Sequence, residues 1–481
     1  MKTTGYMNII VKDPRISVTR IFIIAALLIS IAGTLTADIR ASNKFMLLPM
    51  YLALATCGFI GLFWLRHKKT ELLIFSLLTA YIWAAYPLKL VLTINDPTTL
   101  WASGSFFPAS LIQKEISGSF FTITPGLIAL FLGFLIGHKQ TSLSRNPGSE
   151  NYALRQKTFI FIISALMVLK IFNQTVLDIG IPGIRPHVLP IPYLTGILEM
   201  LSRPVLFALV NVYFYSVLQL RERRGLQIAS LLLLINLLLG LRVGYKSELV
   251  FQGLLVFYYI FDLREYLSRS RRRFISIVAI FLVVSTVTLY PLVNYYRNYL
   301  LSGQNISQAA DSAQAQAEKY QESFFISFYN RINGIGAYYV ATKLGKGSTF
   351  PVNSLFSEDV MDLIKKRLYG SDKKYAVASF GTTQFSVLYL IGGVVFLSFG
   401  SFVIGWSIRW TASLMRQRAF KYIGIFDAYL PLFCILWVKV LASGGLITLY
   451  LKELALVAAS LYAIDKTCYV RKRQPIKESR S

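Results

Sequence analysis

Hydrophobic residues in this chain are gathered in long runs that short polar segments separate. A membrane-spanning α-helix needs about 20 mostly apolar residues. By that measure the pattern predicts twelve spans, at residues 21–37, 45–65, 71–94, 118–137, 158–178, 197–219, 226–240, 248–262, 274–292, 384–407, 422–440 and 446–464. The predicted fold class is an all-α polytopic membrane protein with about 12 transmembrane helices.

The Lys and Arg residues between the runs orient these helices. With a cytoplasmic N-terminus, the cytoplasmic segments hold 29 Lys and Arg residues and the short external loops hold 6. Positively charged residues are concentrated in cytoplasmic loops. We therefore expect both termini to be cytoplasmic and the turn at 241–247 to be external.

The same pattern divides the chain into four parts. Residues 1–292 form a bundle of spans one to nine, 293–383 a large external (periplasmic) loop, 384–464 spans ten to twelve, and 465–481 a basic cytoplasmic tail. We expect two or three short helices in the loop, lying near the membrane surface. The segment "SEDVMDLIKKRLYG" is typical of one, with Ser357 as its N-cap and acidic residues in its first turn.

Composition excludes several classes of protein. The chain has 481 residues, of which 55% are hydrophobic and 15% charged, and its net charge is +27. Because the basic residues separate hydrophobic runs instead of covering one soluble domain, we expect no nucleic-acid partner. Cys57, Cys434 and Cys468 lack metal-ligand spacing, and neither a phosphate-binding loop nor an HExxH motif is present. We therefore predict no disulfide, no metal and no cofactor.

Candidate chemistry begins in the stretch "GLRVGYKSELV", residues 240–250, between two predicted spans. It places Arg242, Lys246 and Glu248 close to hydrocarbon, where charges are costly and therefore suggest function. Other basic residues on the predicted external face are Arg185, His187, Arg297, Arg331 and Lys343, with aromatics such as Tyr245, Tyr338 and Tyr339 near them. Arginine donates paired hydrogen bonds to phosphates. A lipid-linked phosphate or pyrophosphate is the partner that this pattern favours.

Charges inside the predicted spans have structural interpretations as well. Arg242 forms a salt bridge to Glu248 if the turn folds back. Glu199 and Arg203 have the i, i+4 spacing of a helical ion pair. Lys452 and Glu453 are expected to pair inside the bundle. Three lysines near external span ends either extend outward or line an external cavity: Lys89, Lys170 and Lys439.

These features resemble the bacterial oligosaccharide repeat-unit polymerases, the Wzy-type O-antigen polymerases. Twelve spans, inside termini and one large late external loop match that family in topology. Gly240, Leu241 and Arg242 match its Gly-x-Arg element, and Arg297 or Arg331 matches the arginine of its large loop.

The resemblance implies an activity at the external face of the bacterial inner membrane. Its substrates are undecaprenyl-pyrophosphate-linked oligosaccharides, and its product is O-antigen, capsule or exopolysaccharide. Arg242, with Arg297 or Arg331, binds the pyrophosphate and stabilises it as it leaves, without a metal ion. Glu248, or else His187, is the general base. Lys246, Tyr245, Arg185 and Lys343 complete the predicted substrate-binding set, and a polysaccharide chain-length regulator is an implied partner.

Two alternatives stay open. The first is an O-antigen ligase or another glycosyltransferase that uses a lipid-linked sugar, since a ligase would use the same basic external face. The second is a flippase or transporter of lipid-linked oligosaccharide, which twelve spans and internal charges also fit. Against transport, the sequence has no two similar halves, which many transporters show.

Overall fold

In the computed structural model, the described residues are helical almost throughout. The structure describes residues 78–79, 81–95, 109–136, 152–179, 191, 193–243, 246–263, 334–345, 350–355, 383–415, 420–442 and 447–471, together with scattered positions between 267 and 312. The elements are a π-helical turn Ala84–Leu88, α1 Lys89–Asn95, α2 Ala109–Ile136, β1 Tyr152–Leu154, α3 Gln156–Thr175, α4 Leu194–Met200, a π-helical turn Leu201–Val205, α5 Leu206–Leu220, α6 Arg223–Arg242, α7 Lys246–Leu263, α8 Ile335–Leu344, a 3-10 turn Val352–Leu355, α9 Gln384–Leu414, α10 Ile423–Ala442, α11 Ile447–Cys468 and β2 Tyr469–Arg471.

Six segments among the described residues are long and apolar enough to cross a membrane. They are Lys114–Ile136, Gln156–Thr175, Leu194–Leu220, Arg223–Arg242, Gln384–Leu414 and Gly424–Ala442. Each coincides with a predicted span, and α7 and α11 coincide with two more. The prediction of an all-α, multi-pass membrane protein is confirmed to this extent. The first two predicted spans lie outside the described residues, and the number twelve stays a prediction.

A proline shapes the segment that joins α4 to α5. Pro204 has no N–H to donate, so the regular helical hydrogen bond cannot form there. The backbone instead makes a π-helical turn over Leu201–Val205. Turns of this kind recur at functional sites. This one carries Arg203 and joins the two helices into a single apolar segment.

Glycines bring α2 and α9 into backbone contact. A Cβ on Gly133 would overlap the carbonyl oxygen of Phe402, and a Cβ on Gly405 would overlap that of Leu130. Small residues of this kind are how membrane helices approach closely, since dispersion forces then act between whole backbones. This crossing therefore holds α2 and α9 tightly against each other within the bundle.

Helix α9 is broken sharply at Gly392 and Gly393. Gly393 has a φ of 63°, a conformation that glycine adopts without steric cost. Leu388 Cδ2 comes within 2.5 Å of the position that a Cβ on Gly400 would occupy, whereas twelve residues of straight helix would separate the two by about 18 Å. The first arm of α9, residues 384–391, therefore folds back against the rest of the helix.

Helix α8 lies in the segment 293–383, where we expected helices on the membrane surface. Most of its residues are buried. The hydroxyl of Thr342 lies 2.9 Å from that of Ser119 in α2, and the ring of Tyr338 packs edge-on against Tyr389 of α9 at 5.3 Å. This helix packs against α2 and α9, and its location near the membrane surface stays a prediction. The helix expected at "SEDVMDLIKKRLYG" lies outside the described residues.

A short strand pair joins two segments that are far apart in sequence. Strands β1 and β2 run antiparallel, with Ala153 opposite Val470. Nearby, the Asp465 carboxylate accepts hydrogen bonds from the backbone N–H groups of Lys421 and Tyr422 at 2.5 and 2.7 Å. The sequence predicted no strand. The contacts nevertheless join segments that the charge count predicts on one side of the membrane.

Candidate functional site: a cavity lined by ion pairs

An open cavity lies between α5, α7, α10, α11 and the π-helical turn before α5, with about 600 Å³ of empty space when the adjoining open solvent is included. Its charged lining residues are Arg203, Glu248, Lys439 and Glu453, and the remainder of its wall is apolar, including Phe207 and Phe251. Glu248 is in the first turn of α7 and Lys439 in the last turn of α10. The cavity therefore adjoins the helix ends that the sequence predicts to be external.

Glu248 is held by a buried lysine from another helix. Lys170 of α3 donates to both carboxylate oxygens, at 3.2 and 3.5 Å, and to Asn236 Oδ1 at 3.0 Å. The Lys170 side chain is only 1% exposed. Of the two interpretations of Lys170, the outward course is therefore wrong, and Lys170 takes the place beside Glu248 that the structural interpretation of Arg242 gave to that arginine. Paired in this way, both charges can be accommodated inside the bundle.

The glycine of the Gly-Leu-Arg element makes this arrangement fit. Gly240, at the end of α6, lies against the carboxylate of Glu248, and a Cβ there would overlap Oε2. Eight positions apart in sequence, the two residues meet because the turn after Arg242 brings α7 back against α6. The element thus has a packing role that its sequence alone did not indicate.

Arg203 enters the cavity from the π-helical turn. It forms the predicted i, i+4 ion pair, a short contact between its Nη1 and Glu199 Oε1, so that prediction is confirmed. Arg203 also lines the cavity. The sequence favours a structural role for the pair, because it does not reveal that a π-helical turn directs Arg203 towards a cavity.

Glu453 faces Lys439, not its neighbour Lys452. Lys439 Nζ lies 4.0 Å from Glu453 Oε2, whereas Lys452 is exposed. The side chains of adjacent helical residues point roughly 100° apart, so Lys452 and Glu453 cannot both point towards the middle of the bundle. The predicted pair of Lys452 with Glu453 is therefore wrong. Of the two interpretations of Lys439, the structure favours the one in which it lines a cavity.

The other predicted site residues are distributed elsewhere. Arg242 is exposed, and its backbone carbonyl accepts a hydrogen bond from the Tyr296 hydroxyl at 3.1 Å. The pKa of Tyr296 is raised above its ordinary value because the hydroxyl is partly buried, and the nearby Arg242 charge offsets part of that rise. Lys246 is the first residue of α7. Five predicted site residues lie outside the described residues: Arg185, His187, Tyr245, Arg297 and Arg331.

Lys343 belongs to a different contact. It forms an ion pair with Glu115 of α2 and lies 5.5 Å from the ring centre of Tyr339. Tyr338 and Tyr339 are fully buried, so they are not aromatics on an open external face. The structure therefore uses Lys343 to attach α8 to α2, away from the helices that line the cavity.

The described residues include no group of three or more His, Cys, Asp or Glu side chains that could hold a metal ion. Cys434 and Cys468 are buried free thiols. The cavity instead brings cations, carboxylates and apolar side chains together. No protein-family model, curated protein or solved structure matches the chain.

Proposed function

We propose that the chain is a metal-independent glycosyltransferase that polymerises lipid-linked oligosaccharide repeat units. In this proposal it lies in the bacterial inner membrane, with about twelve spans, both termini in the cytoplasm and one large periplasmic loop. A growing chain passes from its undecaprenyl-pyrophosphate carrier to a sugar hydroxyl of the next lipid-linked unit. The product is O-antigen, capsule or exopolysaccharide, and a chain-length regulator is the proposed protein partner.

One observation carries the proposal: the cavity next to the Gly240–Arg242 element combines two cations and two carboxylates with an apolar wall. A lipid diphosphate likewise has a charged part and an apolar part, namely its diphosphate head and its hydrocarbon tail. Arg203 suits the head because its planar group donates two parallel hydrogen bonds to phosphate oxygens. Arg242, at the nearby end of α6, remains a proposed contact to the diphosphate, as do the loop residues Arg297 and Arg331.

Lys439 is the cation that can turn most readily towards a phosphate. At 4.0 Å from Glu453 Oε2 it is beyond normal hydrogen-bonding distance, so no formed hydrogen bond to that oxygen has to break. As the diphosphate leaves, negative charge grows on its oxygens, and fixed cations in a water-poor site stabilise such charge strongly. This is how the reaction would proceed without a metal ion.

The test is a gel of surface glycan from cells that lack the chain. We expect deletion to reduce the glycan ladder to core plus one repeat unit and wild type to restore it. Lys439→Ala should restore it poorly, because the cavity loses a cation. Lys452→Ala is the matched control, since this exposed lysine on the neighbouring helix α11 should be dispensable. An unchanged ladder and unchanged exopolysaccharide after deletion would contradict the proposal.

The same cells separate the two alternatives. Loss of a ligase leaves finished polymer on the lipid carrier. Loss of a flippase traps single lipid-linked units on the cytoplasmic face, whereas loss of a polymerase leaves them outside. The buried Lys170–Glu248 pair favours transport as the second candidate, because charged pairs between membrane helices are also used in ion and proton relays.

A further inference from the structure

We propose that Glu453 is the group that accepts the proton of the attacking sugar hydroxyl. The inference rests on the proposed transferase function and names a catalytic residue for it. It replaces Glu248, which the sequence favoured, with a carboxylate that the sequence suggested only as half of an internal pair.

Two carboxylates line the cavity, and their surroundings differ. Both oxygens of Glu248 already accept hydrogen bonds from Lys170. Lys170 is also fixed by Asn236 and has almost no exposure through which to move away. A general base has to reach the proton that it removes, within about 2.6–3.2 Å. Glu248 would have to leave an established ion pair to do this, so we assign it to positioning.

Glu453 meets the requirement better. Its Oε2 is shielded from water and, among the described residues, has no hydrogen-bond donor within reach. A carboxylate oxygen buried in this way retains its capacity to accept a hydrogen bond, and such groups call for an explanation. The side chain is 17% exposed and lines the open cavity. Rotation about the last side-chain bond would turn Oε2 towards the cavity, where a bound hydroxyl would supply the donor that this oxygen lacks.

The neighbouring charges suit a transfer step. The hydroxyl oxygen of the acceptor sugar forms a bond to the anomeric carbon of the donor chain, and its proton passes to the Glu453 carboxylate. The bond between that carbon and the diphosphate oxygen breaks, and its electron pair leaves with the diphosphate. Arg203 and Lys439 stabilise that leaving group in the same cavity. The proton then returns to water through the cavity opening.

The experiment uses purified full-length protein in lipid nanodiscs. The substrate is the lipid-linked repeat units extracted from cells that lack the chain, and the readout is the rate of polymer formation. A general base contributes roughly 10²–10⁴-fold to a rate, and we expect Glu453→Ala to lose activity in that range. The KM for the lipid donor should change little, because the cations that bind it remain. Lys452→Ala, the neighbouring exposed position, should behave as wild type.

Chemical rescue separates catalysis from packing. Sodium formate is a small carboxylate that can enter the open cavity, and we expect it to restore a large part of the Glu453→Ala rate. Formate should not restore Glu248→Ala, whose defect lies in the loss of a buried ion pair. A structural role for Glu453 would give no rescue, and that result would overturn the inference, as would rescue of Glu248→Ala alone.

Controls distinguish a failure of the proposed transferase function from a failure of the Glu453 assignment. If wild type forms no polymer from these units, the transferase function fails and this assignment fails with it. If wild type polymerises and Glu453→Ala does so within about twofold, a change far below the usual contribution of a base, only the assignment of Glu453 is wrong. The size-exclusion profile and Tm of each variant show that it is folded.

Discussion

Gly240 and the carboxylate of Glu248 are in direct contact, and the space that a Cβ on residue 240 would need is already filled by Glu248 Oε2. The carboxylate cannot easily turn away, because Lys170 holds both of its oxygens. A glycine, a glutamate and a lysine from three helices thus form one packing unit at the edge of the cavity.

We therefore expect Gly240→Ala to lower the stability of the protein far more than the addition of one methyl group would suggest. The added methyl group must displace the Glu248 carboxylate from Lys170, and overpacking of this kind costs about 1–3 kcal/mol. The measurements are the Tm of purified protein and the glycan ladder of complemented cells. Gly196→Ala is the matched control, since a Cβ there meets nothing within 4 Å. Equal Tm values for the two variants would show that the contact is not tight.

The ion pair itself gives a second prediction. Lys170→Met leaves Glu248 inside the bundle without its cation, and breaking a buried pair in this way costs about 3–5 kcal/mol. We expect a large fall in Tm. The double variant Lys170→Met with Glu248→Gln should recover most of it, because no uncompensated charge remains. The four proteins form a double-mutant cycle, and simple additivity of the two single effects would contradict the pairing.

The helices of this fold were largely predictable from sequence, because an apolar run of about 20 residues has few stable alternatives in a bilayer. The broken arm of α9 was not. "LIGGVV" is uniformly apolar, and only the positive φ of Gly393 reveals that the chain reverses there. The burial of α8 was missed for a similar reason, since its partners lie in α2 and α9, far away in sequence.

The site was predicted only in part. Glu248 stood out because it follows a short charged turn. Arg203 and Lys439 were visible as charges inside spans, but the cavity that they line depends on how four helices and a π-helical turn pack together. The choice between Lys170 and Arg242 as the partner of Glu248 also depends on tertiary structure. The sequence offered the near residue as one interpretation, whereas the bundle supplies the distant one.

The backbone contact between α2 and α9 leads to a third prediction. A Cβ on Gly133 would overlap a backbone carbonyl oxygen, and a backbone cannot rotate away as a side chain does. Gly133→Ala should therefore lower stability by about 1–3 kcal/mol. Gly118→Ala in the same helix should be neutral or slightly stabilising, because its Cβ meets open space and alanine favours helix. Thermal unfolding of both variants in one detergent tests this, and a higher Tm for Gly133→Ala would contradict the close crossing.

The contact of Asp465 with the chain before α10 gives the last prediction. Its carboxylate accepts from two backbone N–H groups, those of Lys421 and Tyr422, which precede the first residue of α10. Asp465→Ala removes both acceptors and leaves the buried N–H of Tyr422 without its partner, which costs about 1–3 kcal/mol.

We expect a clear fall in Tm for Asp465→Ala, together with faster amide hydrogen exchange at the start of α10, because this is where the acceptor is lost. Lys466→Ala is the matched control. It removes a neighbouring exposed side chain whose charge acts on Asp465 through space and which contacts the Tyr462 ring at 5.1 Å. Such ring contacts contribute about 0.5–1 kcal/mol at exposed sites. If both variants lower the Tm equally and exchange at α10 stays unchanged, Asp465 does not hold the start of that helix.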